Sequence, residues 1–192
     1  MEGSLILIVI LAVVVLVMLA LPISWYNKLV RLRQLIRESW HNVDVQLRRR
    51  YDLIPNLVNV VKGYAQHEQQ TLAAVIEARN RAEANHNSVA SQAADEQAMV
   101  RAAKQLLAVV EAYPQLKASQ NFLALQRELI ETEDRIAAAR RFYNANVREY
   151  NVSRTTFPVM LVAGMGDFPP ADYFEVEDIT TRQAPAVSLG AS

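Results

Sequence analysis

The chain has 192 residues, which is enough for one domain with a sizeable core. Its 20 basic and 20 acidic side chains cancel, so there is no global field to attract nucleic acid, and the absence of cysteine excludes disulfides, thiolate metal sites and a cysteine nucleophile. Only five glycines and seven prolines occur, and alanine, leucine, glutamine, glutamate and arginine are abundant, which predicts an all-α protein.

The N-terminal stretch from Leu5 to Ile23 predicts a membrane anchor. It has no charged or hydrogen-bonding side chain and would be about 28 Å long as a helix. A hydrocarbon core is about 30 Å thick, so the length matches one crossing. A cleaved signal peptide is the alternative, but it favours a basic start and a shorter apolar run. We therefore predict a transmembrane anchor over residues 1–23 and a single-pass protein.

Aromatic and cationic residues follow the apolar run. Trp25 and Tyr26 fall at interfacial depth, and four cations come within the next residues: Lys28, Arg31, Arg33 and Arg37. Because cytoplasmic flanks carry an excess of lysine and arginine, we expect the body of the protein in the cytoplasm rather than the periplasm. The candidate residues for contact with the membrane surface are Trp25, Tyr26, Lys28, Arg31 and Arg33.

The body, residues 24–156, shows the periodicity of an antiparallel bundle of about four long helices. The first is predicted to continue from the membrane span to about residue 52, and the second to run from Leu53 to a polar loop at 83–91. A third is predicted from Ala93 to Ala112, with Pro114 able to enter the first turn of the fourth, at about 115–151. Apolar residues recur every three or four positions along these helices. On the fourth helix this stripe consists of Phe122, Leu125, Leu129, Thr132, Ile136, Ala139, Tyr143, Val147 and Tyr150.

A proline stands where the first two helices are predicted to meet. Asp52 can cap a helix that starts at Leu53, which places Pro55 in a first turn whose amide hydrogens have no intrahelical partner. Arg48, Arg49 and Arg50 would then lie in the last turn of the preceding helix, where its dipole favours cations. Two interpretations stay open: the chain folds back near Asp52, or it only bends there.

The end of the chain has a different composition. Residues 157–178 combine small apolar residues, aromatics and three prolines, which predicts a packed segment of loop or short helical turn. Residues 179–192 have few bulky apolar side chains and predict a disordered tail.

Three runs of the sequence resemble a known family. They are WHNVDVQLRRRYDLIPNLVNVVKGYAQHE (40–68), AVVEAYPQLKASQNFLALQRELIETEDRIAAARRFYNANVREYN (108–151), and FP, AG, DFPPADYFE within 157–175. Together they are similar to the LemA family of bacterial membrane proteins. The resemblance implies an anchored helical bundle in the bacterial inner membrane, and it supplies no catalytic residue or cofactor. His41 departs from the small polar residue that is usual there, and residues 83–98 show no match.

Two E-x-x-H motifs raise the alternative of a di-metal enzyme. Di-iron four-helix proteins place a carboxylate and an imidazole on one helix face with this spacing, and Glu38–His41 and Glu83–His86 have the same spacing. If the chain folds back near Asp52, the two histidines differ in height by about 35 Å. Ions shared in a di-metal centre lie about 4 Å apart. His67–Glu68 begins like a zinc-protease helix but lacks its second histidine. We therefore predict no metal, no cofactor and no enzyme activity.

Polar residues near the apolar stripes predict a structural network. Asn121, Asn144 and Asn151 adjoin stripe residues on the fourth helix, and Asn42 and Asp44 flank Val43 on the first. Buried amides and carboxylates are costly unless they are paired, so we expect a satisfied network that fixes helix register. The alternative is that these five side chains point to water.

The function predicted from the sequence is a membrane-anchored helical scaffold. The expected partners are the lipid bilayer, further copies of the chain and an unidentified membrane protein, and nucleic acid is not expected. The alternative is binding or remodelling of the membrane surface by the cationic first helix, with a net charge of about +4 over residues 24–52, and by the aromatic C-terminal segment. The di-metal enzyme is the third and weakest hypothesis.

Overall fold

A computed structural model describes residues 2–85 and 87–176. Within these residues all regular secondary structure is helical. The helices are α1 (Glu2–Lys62), α2 (Gln69–Ala84), α3 (Val89–Glu111), α4 (Pro114–Lys117), α5 (Gln120–Thr155) and α6 (Val159–Met165). The prediction of an all-α bundle with a long apolar N-terminal helix is confirmed.

The predicted break near Asp52 is wrong, because α1 continues through Asp52 and Pro55 to Lys62. Asp52 is an exposed residue inside the helix and not its N-cap. The chain turns between residues 63 and 68, where the Gly63 and Tyr64 amides donate to the Val60 and Val61 carbonyls. The helical spacing of the buried residues continues unchanged on both sides of Pro55, so one continuous helix buries them all on the same face. These residues include Leu47, Ile54, Leu57 and Val61.

An arginine from α2 explains how α1 accommodates Pro55. In an α-helix the amide of residue 55 would donate to the carbonyl of Tyr51, and proline has no amide hydrogen. Arg79 Nε donates to the Tyr51 carbonyl instead, at 3.0 Å. The same guanidinium pairs with Glu83 one turn further along α2. The contact therefore satisfies the acceptor that the proline leaves open and joins α2 to α1.

Several other predicted boundaries are shifted. The connection between α2 and α3 is shorter than the predicted loop, because α2 ends at Ala84 and α3 begins at Val89. Ser88 caps α3 by accepting a hydrogen bond from the Ser91 amide at 3.1 Å. Pro114 does enter a first turn, but that turn belongs to the short helix α4, and the last long helix starts only at Gln120.

The described chain forms two compact units. One contains α1 up to Val43 together with Arg140–Tyr173, and the other contains Asp44–Ala139 together with residues 174–176. The predicted limits of the compositional segments, at residues 23, 156 and 178, stay predictions. The predicted disordered tail, 179–192, lies outside the described residues.

The first unit is built around α1, the end of α5 and α6. Its core contains Leu29, Leu32, Tyr150, Val159 and Phe168. The segment after α6 is irregular and is fixed by side chains of α5. Tyr143 and Tyr150 donate to the Asp172 and Pro169 carbonyls, each at 2.8 Å. Asn151 bonds both backbone groups of Ala171, at 2.9 and 3.0 Å. In this region the structure has the short helix α6 and, after it, an irregular segment up to residue 176.

The second unit contains the remainder of α1, helices α2 to α4 and the first part of α5. Its buried apolar side chains include Ile54, Val75, Met99, Leu106 and Phe122. The predicted apolar stripe of the last long helix is confirmed, since its members are buried or half-buried in their respective units. The charged residues buried in the second unit define the candidate site.

Candidate functional site

Three helices of the second unit contribute a charged side chain to one buried cluster. Arg50 comes from α1, Glu96 from α3 and Glu133 from α5. Arg50 Nη1 donates to both carboxylate oxygens of Glu133, at 3.0 and 3.2 Å, and Arg50 Nη2 donates to Glu96. All three side chains are at most 2% exposed. The guanidinium thus bridges two carboxylates inside the bundle.

Tyr51 and Gln92 complete the hydrogen bonding around Glu96. The Tyr51 hydroxyl donates to Glu96 Oε1, and Gln92 Nε2 donates to the Tyr51 hydroxyl oxygen at 3.0 Å and to the Ala82 carbonyl at 2.9 Å. Burial raises the pKa of Tyr51, and the Glu96 carboxylate raises it further. The phenol therefore stays protonated and serves as a donor to the carboxylate.

The charges of the cluster do not cancel. Burial on its own lowers the pKa of Arg50, but the Glu96 and Glu133 carboxylates outweigh it, so the pKa of Arg50 is raised and the side chain is cationic. With both carboxylates ionised, the cluster carries one net negative charge. Arg50 Nε and Gln46 Oε1 are also buried without a hydrogen-bond partner among the described residues.

The geometry of the cluster suits a structural role. Its charged side chains have almost no solvent-accessible surface, so a substrate could not reach them in this arrangement. Buried ion pairs add little net stability compared with well-packed apolar residues, because desolvation offsets their attraction. They do penalise any arrangement that separates the partners. The cluster therefore disfavours registers of α1, α3 and α5 in which its partners are separated.

Sequence reasoning missed all five members of this cluster, although the spacing contains a signal. Arg50 lies seven residues after Val43 and between the buried Leu47 and Ile54, so it falls on the apolar face of α1. The supposed helix end at Asp52 concealed this, because it placed the arginine in a final turn. Glu96 lies in the same way between the buried Gln92 and Met99 on α3.

The five polar residues predicted to form a network lie in different environments. Asn42 and Asn121 are exposed, and Asp44 is paired with Arg48 at 3.0 Å. Asn144 is half-buried, and Asn151 makes the two bonds to Ala171 described above. The prediction that Asn42 and Asn121 are buried is thus wrong. Each adjoins a stripe residue in sequence, and the next residue of a helix is rotated by about 100° away from that stripe.

The five candidates for membrane contact divide into two groups. Lys28 and Arg31 are exposed. The other three make contacts within the first unit: Trp25 packs against its core, Tyr26 is 48% exposed and meets the Phe168 ring edge-on at 5.4 Å, and Arg33 lies 5.3 Å from the centre of that ring. Arg33 also donates to the Asp167 carbonyl at 3.1 Å.

The residues of the two E-x-x-H motifs are not assembled into a site where the structure describes them. Glu38 and His41 are both exposed on α1, and Glu83 is paired with Arg79. His86 lies outside the described residues.

The fold and the cluster define a class of protein. Among the described helices, α1 is the one long and apolar enough to cross a membrane, and its apolar beginning is not buried by the rest of the chain. This arrangement is that of a membrane-associated helical-bundle protein with a buried ionic cluster. A family model described as the LemA family matches residues 39–189, and the chain belongs to that bacterial family.

Curated relatives match a shorter part of the chain. Magnetosome protein MamQ 2 of Paramagnetospirillum magneticum is 39% identical over 70 residues, which is 36% of this chain and 26% of that protein. Magnetosome protein MamQ of Magnetospirillum gryphiswaldense is 35% identical over 69 residues, which is 36% of this chain and 25% of that protein. The chain thus covers about a quarter of the length of these relatives.

Proposed function

We propose that this protein is a single-pass scaffold of the bacterial inner membrane, with its helical bundle in the cytoplasm, and that it assembles with further copies of itself. The observation that carries the proposal is the apolar start of α1, which is exposed and continues without a break into the bundle. An exposed run of this length is unfavourable in water and favourable in a bilayer. The buried cluster gives the bundle a defined register, which suits a scaffold.

Exposed apolar residues on α5 support self-association. Leu123 and Ile130 are 42% and 41% exposed in the second unit. They are seven residues apart, which places them on one face of the helix, as in the seam of a coiled coil. A second copy of α5 would remove both side chains from water.

Cross-linking of single cysteines in native membranes tests the assembly. The natural chain has no cysteine, so Ile130→Cys provides one reactive position. Gln105→Cys on α3 is the control, because Gln105 is also exposed but polar. We expect disulfide-linked dimers at position 130 and few at position 105. Equal yields at the two positions, or none at either, would exclude α5 as the self-association surface.

Protease accessibility tests the topology. The positive flank of the apolar run supports a cytoplasmic bundle. Protease added to intact spheroplasts should then leave the bundle uncut, whereas protease added to inverted vesicles should digest it. Digestion in spheroplasts alone would place the bundle in the periplasm and would contradict this part of the proposal.

Binding to the membrane surface is a second candidate function, favoured by the exposure of Lys28 and Arg31 at the end of the apolar run. Cations near anionic headgroups contribute about 1 kcal/mol each to binding. Flotation of a chain lacking residues 1–23 with anionic vesicles at low salt tests it. If the shortened chain is folded by circular dichroism and does not float, surface binding of this kind is excluded.

A further inference from the structure

Helix α6 has an apolar surface on both sides. No charged residue occurs between Phe157 and Gly166. Val159 faces inward and belongs to the core of the first unit. Facing outward, Phe157, Leu161 and Met165 are 72%, 55% and 90% exposed, and Met160 is also exposed. A surface helix in water normally has polar residues on its outer side, so this segment has the composition of one that meets a second apolar medium.

The position of α6 along α1 indicates which medium that is. A groove between them is lined by Pro22, Ile23 and Tyr26 of α1 and by Val162, Met165 and Gly166 at the end of α6. Ile23 is the last residue of the apolar run, and Tyr26 follows at the depth of a membrane interface. The exposed face of α6 is therefore continuous with the part of α1 that leaves the predicted membrane span.

The segment is held firmly in this place. Beyond α6, Arg33 of α1 donates to the Asp167 carbonyl at 3.1 Å, and Arg154 of α5 donates to the Phe168 carbonyl at 3.0 Å. The Phe168 ring is buried in the core. The exposed apolar residues thus belong to an element anchored on both α1 and α5.

We propose that Phe157, Met160, Leu161 and Met165 insert into the bilayer leaflet from which α1 emerges, at the boundary between headgroups and acyl chains. The inference rests on the proposed anchoring by α1. The occupant of this face is lipid, because the face continues the apolar run and because Lys28 and Arg31 are exposed shortly beyond it, where anionic headgroups would lie. The chain would then hold the membrane at two places, one spanning and one shallow.

Fluorescence quenching by labelled lipids tests the proposal with the full-length protein. Single cysteines replace Leu161 and Met165 and carry an environment-sensitive dye, and the protein is reconstituted into phosphatidylcholine and phosphatidylglycerol vesicles. The lipids bear a nitroxide either high on the acyl chain or near its end. Phe142→Cys is the matched control, since Phe142 is 57% exposed and apolar but lies three turns before the end of α5. Val14→Cys, in the middle of the apolar run, reports on the anchor.

Shallow insertion has a specific signature. Dyes at positions 161 and 165 should be quenched more by the high nitroxide than by the deep one, the dye at 14 should show the reverse, and the dye at 142 should not be quenched. If position 14 is quenched but 161 and 165 are not, the α6 proposal is wrong and the anchor stands. If position 14 is not quenched either, the anchor itself is wrong. A blue-shifted dye at 161 without lipid quenching would mean that protein covers α6, which also overturns the proposal.

Discussion

Replacing Arg50 by methionine tests whether the buried cluster has the energetic weight that its geometry implies. The change keeps most of the aliphatic stem and removes the guanidinium that bridges Glu96 and Glu133. Both buried carboxylates would then lose this counter-ion. Removing one partner from a buried ion pair costs about 3–5 kcal/mol, which is a large part of a typical unfolding free energy of about 5–15 kcal/mol.

Arg48 provides a matched control two residues away on the same helix. Its side chain is 66% exposed and pairs with Asp44, and exposed pairs of this kind contribute about 0.3–0.5 kcal/mol. Urea unfolding of the full-length protein in detergent micelles, followed by far-UV circular dichroism, gives both values. We expect Arg50→Met to lower the midpoint strongly and Arg48→Met to leave it nearly unchanged, with equal slopes in the two variants.

A second substitution separates the loss of charge pairing from the loss of packing. Adding Glu133→Gln to Arg50→Met removes one of the two unpaired carboxylates, so part of the stability should return. A favourable coupling of about 0.5–3 kcal/mol is expected for groups in direct contact. If Arg50→Met costs no more than Arg48→Met, or if Glu133→Gln worsens the double variant additively, the cluster does not set the register of the bundle.

Three further predictions concern other contacts. Arg79→Met should lower the unfolding free energy by about 1–3 kcal/mol because it leaves the Tyr51 carbonyl unsatisfied. This cost should be smaller in a Pro55→Ala background, where residue 55 regains an amide hydrogen, and additive effects of the two substitutions in urea unfolding would refute the explanation. Burial raises the pKa of Tyr143 to about 12 from 10.0, so the stability it contributes is complete below about pH 10 and declines as the pH rises towards 12. Tyr143→Phe should flatten that alkaline decline in unfolding free energy, whereas Tyr64→Phe, at an exposed site, should not. Asn151→Ala should cost about 1–2 kcal/mol through its two bonds to Ala171, measured by thermal unfolding against the exposed Asn121→Ala, and equal melting temperatures would contradict the assignment.

Hydrophobic periodicity was sufficient to predict most of the helices. The stripe from Phe122 to Tyr150 follows steps of three and four residues, and its members are buried or half-buried as expected. Such a pattern depends only on the geometry of one helix, so it can be recognised without the fold. The apolar start of α1 is recognisable for the same reason, since its length and composition suffice.

The error at Pro55 arose because local rules were applied to a position that depends on a distant residue. Aspartate followed by proline three residues later is a good helix start. The continuation of α1 depends on Arg79, which is 28 residues away and satisfies the Tyr51 carbonyl. Nothing in the local sequence indicates that this donor will be present, although the unbroken phase from Val43 to Val61 favours one helix.

The buried cluster was hidden for a related reason. Three consecutive arginines look alike in a composition count, yet Arg48 is exposed, Arg49 is half-buried and Arg50 is buried. Periodicity can assign Arg50 to the inward face, but it cannot show that Glu96 and Glu133 arrive on the same level of two other helices. That information lies in the packing of the bundle.

The distribution of the cluster over three helices has a consequence for how the second unit opens. The guanidinium on α1 pairs with a carboxylate from α3 and with another from α5, so moving α1 away separates both pairs, whereas moving α3 or α5 away separates one and leaves the other intact. Opening at α1 is therefore penalised most heavily. Backbone amides of α1 around Arg50 should accordingly exchange with solvent more slowly than those of α3 around Glu96 or of α5 around Glu133.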